Sequence, residues 1–464
     1  MTEEDNHELI PSAKRLINSL RDLGYDFSTA VSDLIDNSID AGSTEICINL
    51  QFNGVNSWFS VADNGKGMNV SELMEALRFG SETDYSDVDL GKFGLGLKTA
   101  SLSQCKKLSV ASRNGVYNSE IKAFCWDLDY IQTINKWRIL PVELNETNRN
   151  LHEPLLRTTG TVVLWEKLDR ILDYKNPSGD HARRRIAAMC RELENHISMV
   201  FHRFLMGEYS TSKINIYLNG NIIQPWDPFV KNEKNTQFLQ QYIISCMYNE
   251  VKSSILVDPY VLPQKEDFSS RDAWERASGP KKWNQQQGLY FYRGNRLIQS
   301  GGWSKLRTVD EHTKLARVAI SFTPTLDDAF KINVAKMRIQ VPDEIQGDLC
   351  KIIEHVVRIA RDRYDRTSHP NSANGNPFLG SNSTVTTSTK PSSQPTSQNP
   401  SIRVHQIGSK NSSSDSDLTE CDTIQGKKLW TVDEIEKKLK DAANSDELSI
   451  IEIVFSRAFK SGLY

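Results

Sequence analysis

The sequence predicts an α+β protein, with two successive mixed α/β domains followed by a polar linker and a short helical tail. Three observations lead there. In the first third of the chain, strands of alternating polarity pair between helices. A second group of strand signals opens near Ile243. Beyond it, residues 367–427 are mostly Ser, Asn, Thr, Gln and Pro, with almost nothing to bury, before apolar patterning returns. The expected domains are therefore residues 1–235, 236–366, 367–427 as a disordered linker, and 428–464 as a helical docking segment. A length of 464 residues leaves room for more than one sizeable core.

Composition excludes several classes. Hydrophobic content of 38%, charged content of 25% and a formal net charge of -3 give no global pull toward nucleic acid or membrane, so any such contact must come from local patches. The seven cysteines are odd in number, scattered and never in a C-x-x-C pair, which argues against a disulfide framework and a zinc site. The opening MTEEDNHELI is acidic, and no apolar run reaches membrane-spanning length, so a cytoplasmic protein is expected.

Residues 10–20 carry Ala13, Leu16, Ile17 and Leu20 at helical spacing. A second helix over residues 28–41, with Ser28 or Thr29 as its N-cap, contains DLIDNSIDAG. Asp33, Asn37 and Asp40 stand at i, i+4 and i+7, so one face carries three oxygen-bearing side chains, and Gly42 suits the C-terminal end. Segments 46–52 and 58–62 alternate as an antiparallel pair. The second runs into Asp63-Asn64-Gly65-Lys66-Gly67-Met68. There Asp63 can accept from an exocyclic amine, while Gly65 and Gly67 let a flat ligand near the backbone. Calcium would want more oxygens at alternate positions than Lys66 and Met68 supply.

Residues 71–79 read as a helix capped by Ser71, and residues 80–89 as a small, polar loop. Next comes Gly91-Lys92-Phe93-Gly94-Leu95-Gly96-Leu97-Lys98, a glycine-rich turn opening a helix, whose free N–H groups and Lys98 can cradle phosphate. It matches neither the Walker signature nor a dinucleotide fingerprint. Further strands are expected at 108–112, 116–124, 137–140 and 159–165, the last carrying Thr161. Residues 181–205 read as one long helix with Ile186, Met189, Leu193 and Ile197 at core spacing; its triple arginine at 183–185 fits either a solvated helix end or DNA phosphates. His202 reads as a packed histidine, and Asn219-Gly220 as a hairpin turn. In the second half, strands at 289–292 and 296–298 flank the turn Arg293-Gly294-Asn295, a strand spans 315–322, and a charged amphipathic helix spans 343–366.

Four pieces thus stand in order: the DLIDN helix, the DNGKGM turn, the GKFGLGLK segment and the GT strand at Thr161. Together they resemble the GHKL ATPase superfamily of gyrase-type topoisomerases, MutL proteins, large heat-shock chaperones and histidine kinases. The phrases GLYFYRGNRLIQSGGW and INVAKMRIQVP are similar to the transducer domain of bacterial MORC-like and MutL-like ATPases. The resemblance implies a Bergerat-type α/β sandwich followed by a transducer-like, ribosomal S5-like domain. It also implies ATP and magnesium as cofactors. Asn37 would bind the metal and Asp33 would activate water. Asp63, Gly65, Gly67, Met68 and Thr161 would hold the base, and Gly91, Phe93, Gly94, Leu95, Gly96 and Lys98 the phosphates. The second-domain lysine that reaches the γ-phosphate matches Lys336 best, with Lys331 and then Lys314 as alternatives. Asp33 replaces the usual glutamate, so its carboxylate is one methylene shorter and slow hydrolysis is expected; Asp36 lies on a different face. The implied protein homodimerises on ATP binding and acts as a clamp in DNA-related work such as restriction or phage defence, with a separate nuclease. The alternative is an ATP-switched scaffold or chaperone-like protein with negligible turnover.

Overall fold

Sequence signals of period 3.6 and period 2 resolve into two sheets with their helices in the computed structural model, which describes residues 10–22, 25–80, 90, 96–115, 119–209, 211–248, 251–332 and 339–368. The helical tail and all but the first two residues of the expected linker lie outside the described residues.

The chain begins with α1 (Ala13–Arg21), α2 (Phe27–Asp40), β1 (Glu45–Gln51), β2 (Trp58–Asp63), α3 (Val70–Leu77), α4 (Gly96–Leu102), β3 (Lys107–Arg113) and β4 (Lys122–Asp127). It continues through α5 (Leu128–Ile134), β5 (Leu140–Pro141), α6 (Arg149–His152), β6 (Gly160–Glu166), α7 (Asp180–Val200), α8 (His202–Met206), β7 (Asn215–Leu218) and β8 (Asn221–Ile222). These strands form one sheet in the order β5-β4-β3-β6-β2-β1-β7-β8. Its pairs are antiparallel except β1 with β7. Because side chains alternate faces, Phe59, Val61, Val110, Val163 and Trp165 join the core formed with the helices. Their neighbours Ala62, Ala111, Val162 and Leu164 pack on the other face against Leu151 and Leu155. Trp165 is fully buried, 4.4 Å from the Phe59 ring and 6.2 Å from Phe27.

The second part contains β9 (Gln237–Phe238), β10 (Tyr242–Tyr248), β11 (Val251–Val261), α9 (Arg271–Ala277), α10 (Lys282–Gln286), β12 (Gly288–Arg293), β13 (Arg296–Ser300), β14 (Ala316–Phe322) and α11 (Asp343–Ser368). Its sheet runs β10-β11-β14-β12-β13, with β9 on β11. Ile345, Leu349, Ile352, Ile353, Val356 and Val357 of α11 are buried in its core. The molecule is therefore a mixed α/β domain followed by a second α/β domain, as expected.

Several local expectations are corrected. Asp26, not Ser28 or Thr29, caps α2, its carboxylate accepting from Thr29 N at 2.9 Å. Asn69, not Ser71, caps α3, in a reciprocal pair with Glu72. Polar residues two positions upstream satisfy the free helix N–H groups equally well, and tertiary packing chooses between them. Of the expected 116–124 strand, residues 116–118 lie outside the described residues, 119–121 are not strand, and β4 begins at Lys122. The 137–140 segment pairs only at Leu140–Pro141, because Trp137 packs on Phe79 and Trp126 instead. The long helix breaks at Phe201, which turns α8 toward the second sheet. There buried His202 is bonded to the Tyr292 hydroxyl at 2.9 Å, and the Arg203 guanidinium lies 3.4 Å from the Tyr292 ring centroid. Burial holds His202 well below its ordinary titration range, with the Arg203 charge adding to the effect.

Replacing Trp165 by Ala removes the largest side chain at the centre of the first core. Urea unfolding is expected to show a loss of about 3–5 kcal/mol without a change of secondary structure in the survivors.

Candidate functional site

Helix α2 lies on the first sheet through Ala30, Val31, Leu34 and Ile35, all buried. Gly42, at φ +73°, ends it, its N–H reaching the Ile39 carbonyl at 2.9 Å. The expected polar face divides along its length. Asp33 is buried, whereas Asn37 and Asp40 are exposed. Asp36, set aside in the sequence, is also fully buried and pairs with Arg296 of β13, Nε to Oδ1 at 2.8 Å. The Arg296 Nη2 stands 4.0 Å from Asp33 Oδ1. The buried Tyr25 phenol also faces Asp33, and its pKa is raised first by burial and then by that charge.

At the end of β2, Asp63 sits opposite Thr161 of β6 in the antiparallel register. Its Oδ1 accepts from Gly65 N at 2.9 Å and Thr161 N at 3.2 Å, and its Oδ2 from Ser38 Oγ of α2 at 3.2 Å. Burial pushes the Asp63 carboxyl up to about 6, against the opposing pull of these three donors. Ser112 extends the network: its Oγ accepts from Met68 N at 2.8 Å and lies 3.0 Å from Thr161 Oγ1. Ser38, Asp63, Met68, Ser112 and Thr161 thus form one connected polar cluster beside exposed Asn37.

The glycines of the turn serve a different purpose from the one expected. A Cβ on Gly67, at φ +67°, would come 1.9 Å from the Arg113 carbonyl oxygen. On Gly65 it would come 2.8 Å from Ala41 Cβ. Both positions are closed by the protein's own chain, so these glycines let the turn pack rather than leave room for a ligand. Gly160, at φ +139°, does the same for β6: a Cβ there would meet the Asp63 carbonyl oxygen at 1.9 Å.

Of the glycine-rich segment, Gly91, Phe93, Gly94 and Leu95 lie outside the described residues, as does Lys336. Gly96 opens α4 directly over Asp33, with a Cβ position 3.3 Å from Asp33 Oδ2. Lys98 is buried, and its ammonium donates to the Ala76 carbonyl at 3.0 Å at the end of α3; burial lowers its pKa to about 8. Lys314 is held by Glu311 at 2.5 Å, and Lys331 is exposed. Leu90 marks the base of the segment, with its N–H on Asp40 Oδ1 at 3.0 Å and its carbonyl on Arg293 Nη1 at 2.9 Å.

Asp36, Ser38, Ser112, Arg293 and Arg296 are the contributors that the motifs do not name. The available signal was the pair of arginines flanking Gly294-Asn295 in an otherwise apolar strand pair, since a buried charge requires a partner. Among the described residues no group of three or more His, Cys, Asp or Glu could hold a metal. Asn37 is exposed and presents an amide oxygen, a donor type that magnesium accepts alongside phosphate and water.

Gly160→Ala should drive the β2 and β6 strand ends apart. The expected outcome is a loss of about 2 kcal/mol or more in denaturant unfolding, with the Asp63 network broken.

Residues 25–161 match the family model described as histidine kinase-, DNA gyrase B- and HSP90-like ATPase. The chain is 31% identical over 100 residues to the DNA mismatch repair protein MutL of Thermosipho africanus, covering 20% of this chain and 17% of that one. It is 26% identical over 206 residues to the DNA mismatch repair proteins MutL of Escherichia coli and Shigella boydii, covering 43% of this chain and 29% of theirs. It thus spans less than a third of these relatives' own length. The buried aspartates, open asparagine and Asp63 cluster all fall on elements within the matched stretch, and residues 25–161 form a domain of the GHKL family of ATPases.

Proposed function

We propose that the protein is a magnesium-dependent ATPase whose nucleotide site is the α2–β2–β6 cluster and whose turnover is slow. The observation that carries this is the Asp63 carboxylate, fixed at a strand end by Ser38, Gly65 and Thr161, beside the exposed amide of Asn37. Asp63 accepts the exocyclic amine of adenine, with Met68 and Thr161 lining the base pocket and Gly65 and Gly67 letting the turn beneath it pack. Asn37 supplies an oxygen to the cation, which when bound neutralises phosphate charge. Gly91, Phe93, Gly94, Leu95, Gly96 and Lys98 enclose the phosphates, for which Lys98 must exchange its bond to the Ala76 carbonyl. Asp33, beneath Gly96, takes a proton from the attacking water, and Lys336 of the second domain makes closure depend on an intact triphosphate.

The N-terminal domain pairs with a second copy when ATP is bound, forming a two-fold clamp that opens after hydrolysis. The similarity to MutL proteins supports a DNA-related process. A role in restriction or phage defence, in the MORC-like manner and with a separate nuclease, is the reading of the transducer-like second half. A second reading, an ATP-switched scaffold, is favoured by one observation: the shorter acid at Asp33 is buried beside Arg296 and Tyr25. Turnover in the presence of saturating ATP separates the two.

The defining experiment combines ATPase assays with sedimentation on a non-hydrolysable ATP analogue. Dimerisation and turnover are expected, and a chain that stays monomeric and inert would sink the proposal. Asn37→Ala should abolish nucleotide binding, while Asp33→Ala keeps binding and loses turnover by about a hundredfold or more. Equal loss of binding in both would refute the role assignment.

The titration of Asp63 gives a second outcome. Its ionised form is the better acceptor for an amine, so binding lowers its pKa, and affinity is full above pH 6 and weakens as pH falls through 6. At pH 5 calorimetry should show about tenfold weaker ATP binding, a dependence absent in Asp63→Asn, whose affinity is low throughout.

A further inference from the structure

The β12–β13 hairpin turn meets the first domain through several side chains, Asn295 accepting from Arg203 Nη1 at 3.3 Å among them, and two of these contacts reach the candidate site. At the first, Arg296 lies between Asp36 at 2.8 Å and Asp33 at 4.0 Å, with side-chain exposures of 3%, 1% and 4%. At the second, Arg293 holds the Leu90 carbonyl at 2.9 Å while gripping Asp327 with both ends of its fork, at 2.7 and 2.9 Å. Leu90 is tied in turn to Asp40 of α2. One rigid turn therefore grips both the helix carrying Asp33 and Asn37 and the base of the glycine-rich segment.

We propose that Arg296 is a positioning residue for hydrolysis: by pinning Asp36 it fixes the rotation of α2 that aims Asp33, and so makes turnover depend on where the second sheet stands. The inference rests on the ATPase reading above.

The physical case has three parts. A guanidinium and a carboxylate this deeply buried stabilise each other at 2.8 Å, so a roll of α2 about its axis that draws them apart is costly. Asp33 and Asp36 are three residues apart on that helix, so a small rotation that lengthens one contact moves the other carboxylate as well. The broad guanidinium places charge near both acids, Nε 2.8 Å from Asp36 and Nη2 4.0 Å from Asp33, which a compact lysine ammonium reproduces only in part. Charge reaches this spot from other elements too: desolvation and the nearby Arg296 cation depress half-buried His196 of α7 to about 4, and it shares a 2.9 Å contact with Ser32 of α2. Neutral at physiological pH, His196 leaves Arg296 as the cation facing the two aspartates among the described residues.

The test measures kcat, KM and calorimetric binding of a non-hydrolysable ATP analogue for the full chain and for Arg296→Gln. Alongside it, hydrogen exchange of residues 288–300 is followed with and without the analogue. The proposal expects kcat to fall at least tenfold with KM and affinity within about threefold. It also expects analogue-induced protection of the hairpin in the unaltered chain but not in the variant, and partial recovery of kcat in Arg296→Lys. Should Arg296→Gln fail to fold, the paired replacement Arg296→Met with Asp36→Leu removes both charges at once, and the same kcat loss at retained affinity is expected. Unchanged kcat in the folded variant, or a hairpin that binding leaves unaffected, overturns the inference. If the unaltered chain neither binds the analogue nor hydrolyses ATP, it is the ATPase reading itself that fails.

Discussion

Holding three carboxylates around one helix, two of them buried, is the constraint to which the rest of this structure answers. Asp33 and Asp36 of α2 are buried, and Asp63 at the end of β2 is half-buried. Each must therefore find donors from elsewhere in the chain, because an isolated buried anion costs far more than any single contact returns. For Asp63 these are the hydroxyl of Ser38 and the N–H groups of Gly65 and Thr161, and for Asp36 the guanidinium charge of Arg296, 2.8 Å away. Satisfying them fixes the roll of α2, the register of β2 on β6 and the approach of the second sheet.

Helix α2 shows how this reads in residues. A polar stripe on a helix ordinarily marks the face turned to water. Here the polarity continues around the helix, and what differs is the partner. Asn37 and Asp40 look outward, whereas Asp33 and Asp36 face protein. The open pair can meet a ligand; the enclosed pair tells the helix which way to sit.

Most elements were legible in the sequence because they rest on local signals. The alternation of β1 and β2, the apolar spacing of α7 and α11 and the Asn219-Gly220 turn each announce themselves within a few residues. The DNGKGM turn and Thr161 were legible as pieces, and the β2–β6 register sets them side by side. What local pattern does not carry is pairing at a distance. Asp36 looked like the poorer acid because its partner lies 260 positions away, and the glycines of the turn looked like space for a ligand because Arg113 and Ala41 are absent from the local motif. The cap positions of α2 and α3 missed by two residues for a milder reason: neighbouring polar side chains offer nearly equal energies, and only packing separates them.

The parallel pairing of β1 with β7 bears on how the protein is made. β1 ends at Gln51, yet the strand that completes its outer edge does not begin until Asn215, and Leu50 N waits for the Asn219 side chain at 2.9 Å. On a ribosome adding roughly 5–20 residues per second, that edge stands open for about ten to thirty seconds, and the Arg296 partner of Asp36 emerges later still. The emerging chain thus carries an open strand edge, a template for mispairing, until β7 arrives to cover it.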